Sequence, residues 1–196
     1  MPHIITVTRQ FGSLGRPIAR KVAEKMNMKY YDRDIIDITA RNMGMNVDDL
    51  LECEGKTLSV YDRMMYPLGF GNAATQERLY KIEKSVILEL ATNEDCVFVG
   101  RCVDYLLKDV KDVLSVYIYA PVEDRLKNST ETLGLSQKEA RKYVEGVDKA
   151  RMDFYKHIAG GHYDSKLYRN LLVDSSAFGE DGTVELICNA AKIKFQ

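Results

Sequence analysis

No surplus of one charge sign, no apolar run of membrane-crossing length and no closely spaced cysteine pair occurs in this 196-residue sequence, whose formal net charge is -1. The balanced charge gives no support for a broad nucleic-acid surface, which needs lysine and arginine in clear excess. A membrane helix takes about 20 predominantly apolar residues. Met1-Pro2-His3 leads straight into a β-branched run rather than a signal-peptide pattern, so a cytoplasmic protein with no membrane partner is expected. Cys53, Cys96, Cys102 and Cys188 are scattered without CxxC spacing, which indicates neither a zinc site nor a disulfide framework and leaves buried or incidental thiols. Internal repeats, low-complexity tracts and linkers are also missing, so a single domain is the economical description.

What is present is the composition of a folded α/β chain, 45% hydrophobic and 29% charged. Ile4 to Thr8 is a β-branched strand, followed by a short glycine-bearing loop and a helix from Gly15 or Arg16 to Met26. Pro17 stands where a first-turn proline is tolerated. A short aromatic strand around Met28–Asp34 leads into a helix through Ile35, Ile36 and Ile38, with Asp32 or Asp34 capping it or lying at its mouth. From Asn42 to Asn72 the pattern weakens, with a polar helix candidate at Val47 to Glu54. Thr75 to Thr92 repeats Leu79, Ile82, Val86 and Leu90 on one face. Cys96–Gly100 reads as a buried strand, Val103–Leu107 as helix, Val113–Tyr119 as strand and Val122–Thr132 as helix. Ser136 with Glu139 forms a capping box opening a basic helix through Lys156. Leu171–Asp174 is the last strand, and Thr183–Lys194 closes the chain with Val184, Ile187 and Ala191 inward. Alternating strands and helices argue for a parallel sheet covered on both faces.

The loop from Gln10 to Arg16 carries the chemistry. Its amides and the positive end of the following helix face an anion such as phosphate. The full phosphate-loop pattern GxxxxGK[ST] is altered here, with Gln10 for the first glycine, then Gly15, Arg16 and Pro17. Arginine can pair with phosphate oxygens, but proline cannot ligate magnesium. A plain strand-to-helix turn is the competing reading.

Thr8-Arg9-Gln10-Phe11-Gly12-Ser13-Leu14-Gly15-Arg16, Tyr30-Tyr31-Asp32-Arg33-Asp34, the stretch Val99-Gly100-Arg101 to Leu107, and Arg125 together resemble the cytidylate kinase-like family of P-loop nucleoside monophosphate kinases. The resemblance covers nearly the whole chain. It implies a three-layer α/β/α fold on a five-stranded parallel sheet, of the P-loop nucleoside triphosphate hydrolase type. A helical nucleotide-monophosphate arm at 42–72 and a lid at about 128–163 would complete one domain. The implied activity is transfer of the ATP γ-phosphoryl to CMP or dCMP, with ATP as cofactor, magnesium held indirectly and a small nucleotide as partner.

The same resemblance distributes the site residues. Arg16, Arg101 and Arg151 are the candidate catalytic charges. Gly12, Ser13, Leu14, Gly15 and Arg16, with Lys149 and Lys156, are expected on the donor. Asp32, Arg33, Asp34, Arg101, Asp104 and Asp153 are expected toward the acceptor. No side chain is assigned as a direct metal ligand, and Val99 stands where many such kinases carry an acidic residue near the metal. Lys142, Lys149 and Lys156 at heptad spacing also fit a solvated face, and His162 fits an exposed loop histidine. Two alternatives stay open: a nucleotide- or anion-binding regulatory protein that has lost transfer, and a small-molecule kinase with another acceptor.

Overall fold

A computed structural model describes residues 2–42, 44, 61, 64–67, 73–160 and 168–196. The helix expected at 47–54, Cys53 and His162 lie outside them. In chain order the elements are β1 (Ile4–Arg9), α1 (Gly15–Met26), β2 (Lys29–Tyr31), α2 (Arg33–Asn42), α3 (Ala73–Asn93), β3 (Cys96–Val99), α4 (Val103–Leu106), β4 (Val113–Tyr119), α5 (Val122–Glu131), α6 (Gln137–Ala159), β5 (Leu171–Asp174) and α7 (Ser175–Lys194).

All strand pairs are parallel, in the order β2-β3-β1-β4-β5. β1 is central, and its alternate residues feed two cores because successive side chains of a strand point to opposite faces. Ile5 and Val7, with Val97, Val99, Val116 and Ile118, pack under α1 and α7. Ile4, Cys96, Phe98 and Val113 pack against Leu79, Val86 and Ile87 of α3. This double burial is why the strands read as near-continuous apolar runs. The result is the expected three-layer α/β/α arrangement.

The capping box at Ser136 is present in full, with the Ser136 hydroxyl accepting from the Glu139 amide and the Glu139 carboxylate accepting from the Ser136 amide. α7 starts earlier than the pattern suggests. Asp174 caps it by accepting from the Ser176 amide, and Gly179 at φ 65° interrupts it before the periodic part begins. The first turns of α7 carry no apolar stripe, which is why periodicity found only the second half. Cys96, Cys102 and Cys188 are buried and free; burial pushes the Cys96 thiol up to about 12. No helix among the described residues is long and apolar enough to cross a membrane.

Chain direction reverses around β1. α1 returns to β2 on one side, whereas the chain after β3 crosses to β4 on the other. Ligands of open parallel sheets bind at such a reversal, outside the carboxyl ends of the strands. The crevice between the ends of β1 and β3 is that place.

Candidate active site

The loop after β1 is held from below. The Gln10 amide donates to the Ile118 carbonyl at 3.0 Å, and its side-chain oxygen accepts from the Ala120 amide at 3.2 Å. The residue standing for the first glycine of the motif thus ties the loop to β4. Ser13 is fully buried and donates to the Gln10 and Ile118 carbonyls at 3.0 and 3.2 Å. Its hydroxyl serves the loop's shape. Gly12 has φ +79°, and a Cβ there would stand 2.5 Å from the Arg125 carbonyl oxygen. Leu14 is also left-handed, at φ 57°, a strained conformation for a residue with a Cβ and one that concentrates at ligand-binding loops. The loop therefore curls tightly into the N-terminus of α1.

Arg16 turns toward β2. Its Nε lies 3.0 Å from Asp32 Oδ2 and its Nη2 2.9 Å from Asp34 Oδ2. Burial works against the guanidinium charge, but Asp32 and Asp34 more than offset it and raise the Arg16 pKa. Asp32 is buried and also accepts from the Tyr30 hydroxyl at 3.1 Å. Burial and Asp32 push Tyr30 up to about 12, with the charges of Arg16 and Arg9 pulling the other way.

These residues do not fit a magnesium ion. A guanidinium already lies on both carboxylates, Pro17 supplies no hydroxyl, and Val99 is a buried apolar residue. Among the described residues no group of three or more acidic, histidine or cysteine side chains could hold a metal.

Across the crevice, Gly100, Arg101 and Cys102 all have positive φ, at 80°, 59° and 56°. Three successive left-handed residues make a sharp turn out of β3. Arg101 leaves it inward, ion-paired with the buried Glu83 of α3, donating to the Pro67 carbonyl and stacked over the Phe154 ring at 4.7 Å. Arg33 reaches the same 64–67 segment, donating to the Tyr66 carbonyl at 3.2 Å.

From α6 the structure brings two charged groups to the loop. Arg151 donates to the Arg9 carbonyl at 3.1 Å and lies 3.6 Å from Asp148. Asp148 accepts from the Phe11 amide at 2.7 Å and pairs with Arg125 of α5. Burial holds the Asp148 carboxyl above its ordinary range, with Arg151, the Phe11 amide and Arg125 pulling it down. Lys149, Asp153 and Lys156 are exposed on the other side of the helix. Asp148 and Arg125 were not among the expected site residues. The signal was their company, since Asp148 and Arg151 fall on the inward stripe of Val144, Val147 and Phe154.

The sequence matches the model of the cytidylate kinase-like family over residues 4–177. The chain belongs to the cytidylate kinase-like family. A relative described as cytidylate kinase, from Archaeoglobus fulgidus, is 25% identical over 195 residues, covering 97% of this chain and 95% of that protein. Among solved structures, an uncharacterized protein from Eubacterium ventriosum superposes with TM-score 0.75 at 19% identity, covering 97% of this chain and 98% of its own. A shikimate kinase from Acinetobacter baumannii, in complex with shikimate, gives TM-score 0.53 at 16% identity, with coverage of 100% and 97%. Both share the fold.

In this member of the cytidylate kinase-like family Asp104 lies in a buried polar cluster. It accepts from the Thr8 and Tyr155 hydroxyls at 3.1 and 3.2 Å, with Arg169 Nε 3.7 Å away. Burial raises its pKa, against the pull of Arg169 and these donors. The folded carboxyl therefore keeps its proton to a higher pH than the unfolded one, whose pKa is about 3.9. Stability carries no such penalty below about pH 4 and falls as pH rises through the folded value. Asp104→Asn has no charge to bury. Its urea midpoint relative to the wild type is expected to shift in the variant's favour as pH is raised from 4; a constant difference contradicts this.

Proposed function

We propose that this protein is an ATP-dependent phosphotransferase whose acceptor is a nucleoside monophosphate, CMP or dCMP. The observation that carries the reading is the loop at Gln10–Gly15, curled by left-handed Gly12 and Leu14 at the end of the central strand. Family membership and an archaeal relative described as cytidylate kinase support it.

Phosphoryl transfer needs positioning and positive charge more than covalent chemistry, because negative charge spreads over the transferring oxygens. In this reading the amides of Gly12 to Gly15 and of Arg16 cradle the donor phosphates at the N-terminus of α1. Arg151 covers the donor from α6, while Lys149 and Lys156, turned to solvent on the far side of that helix, add only long-range positive charge. Arg33 and Asp34 present polar groups toward the acceptor, whereas Asp153 is turned to solvent on the far side of α6. Arg101 fixes the acceptor side of the crevice, and Asp32 and Asp104 act from buried positions. The acceptor phosphate is already ionised at neutral pH, so no general base is required.

One observation favours a second reading. Arg16 is engaged by two carboxylates and Pro17 offers no hydroxyl, as expected of a nucleotide- or anion-binding regulatory protein without turnover. A coupled assay of ADP release over a panel of nucleoside monophosphates and small hydroxylated acids separates the readings. Turnover with CMP and dCMP is the expected result. Turnover only with another acceptor identifies a different kinase, and ATP binding without turnover on any acceptor identifies the regulatory protein.

A further inference from the structure

Two glycines of the crevice lie against one side chain. Gly15 lacks a positive φ, so its backbone is open to any residue. A Cβ there would nevertheless stand 2.6 Å from Arg9 Cβ and 2.8 Å from Arg9 Cγ. At Gly100, on the neighbouring strand end, a Cβ would stand 2.4 Å from Arg9 Nη1. Real Cβ atoms do not approach other heavy atoms so closely. The Arg9 side chain therefore runs from the loop at Gly15, where its Cβ and Cγ leave no room for a side chain, across to Gly100 in the turn after β3, where its guanidinium ends.

That track is the β1–β3 crevice, where the chain reverses. Arg9 is the last residue of β1 and is half-exposed. It lies on the same face of the strand as Val7, because residues two apart share a face. Its carbonyl is held by Arg151 at 3.1 Å, and its charge reaches the Tyr30 hydroxyl beside Asp32. Arg16, the cation at the motif's lysine position, is directed onto Asp32 and Asp34 at 3.0 and 2.9 Å.

Resting on the phosphotransferase reading, we infer that Arg9 supplies the positive charge that meets the terminal phosphoryl group of the donor, the task a phosphate-loop lysine performs. A guanidinium suits it, offering two parallel donors to phosphoryl oxygens. It also approaches along the strand end rather than from the first turn of α1. The site thus divides the lysine's usual work between two arginines: Arg16 neutralises the acidic pair and Arg9 faces the phosphoryl group. Gly15 and Gly100 keep the path clear.

The test is calorimetric titration of ATP and ADP into the wild type, Arg9→Met and Arg9→Lys, with turnover and thermal unfolding measured in parallel. Arg9→Met is expected to lose about tenfold or more in ATP affinity while ADP affinity changes by less than about threefold. Its kcat should fall by about 10²- to 10³-fold, as when a single preorganised donor to a transition state is removed. Arg9→Lys is expected to recover part of both losses. The ATP-against-ADP difference is a readout that a purely structural arginine would not move. Equal effects on ATP and ADP, or unchanged turnover in Arg9→Met, overturn the assignment of Arg9 alone. If the wild type binds neither nucleotide, the phosphotransferase reading falls and this assignment with it.

Discussion

Replacing Glu83 with alanine is expected to cost about 3–5 kcal/mol of folding stability, because it leaves a buried guanidinium without its carboxylate. Glu83 has 0% and Arg101 6% of its surface exposed, and the two form an ion pair between α3 and the turn after β3. A domain has about 5–15 kcal/mol in total, so the variant should unfold at a much lower urea concentration or fail to accumulate. Part of the effect is local. Arg101 and Cys102 keep left-handed backbones, which persist only where the surroundings hold them. Glu83→Gln keeps an oxygen acceptor and should lose less, while Glu83→Leu with Arg101→Met removes both charges and should recover most of the stability. A loss of under about 1 kcal/mol in Glu83→Ala would show that Arg101 is held mainly by the Pro67 carbonyl and the Phe154 ring.

The second large effect belongs to Arg151→Ala, where kcat is expected to fall by about 10²- to 10³-fold with KM for ATP changing far less. Arg151 is tied to the loop through the Arg9 carbonyl and to Asp148, and in the proposed reading that holds it beside the transferring group. Stability should fall little, because Asp148 retains Arg125 and the Phe11 amide. Arg151→Lys keeps the charge but not the fork geometry and should lie between the two. A KM effect with unchanged kcat would instead make Arg151 a binding residue for the ground state.

The fold was largely readable because its strongest signals are local. The β-branched run of β1, the apolar Cys96–Val99 and the capping box at Ser136 each announce an element without reference to the rest of the chain. The candidate site is legible in the sequence only where it forms a contiguous stretch, as in Gln10 to Arg16. Glu83, Asp148 and, in the inference above, Arg9 give no local signal of a role, for a shared reason. Each is a charge placed at an inward or strand-end position, and its partner is distant in sequence: Arg101 for Glu83, Phe11 and Arg125 for Asp148, Gly15 and Gly100 for Arg9. Periodicity counts apolar residues and treats a charge on the inward stripe as noise. Arg16 shows the opposite difficulty, since its position in the motif says phosphate while two carboxylates from the β2–α2 junction decide where its guanidinium lies. Lys149 and Lys156 match the lid by order and spacing, yet the helix turns them to solvent while Arg151 faces the loop.

The central claim is that the loop after β1 holds the phosphates of a nucleoside triphosphate. It is tested most directly by titrating ATP into the wild type and into Gly12→Val, with circular dichroism to establish that the variant is folded. Gly12 combines φ +79° with 2.5 Å from its would-be Cβ to the Arg125 carbonyl oxygen, so a side chain there must reshape the loop. The account predicts one ATP bound per wild-type chain and at least a tenfold weaker affinity in a folded Gly12→Val. Absence of ATP binding by the wild type, or equal affinity in the folded variant, would contradict it.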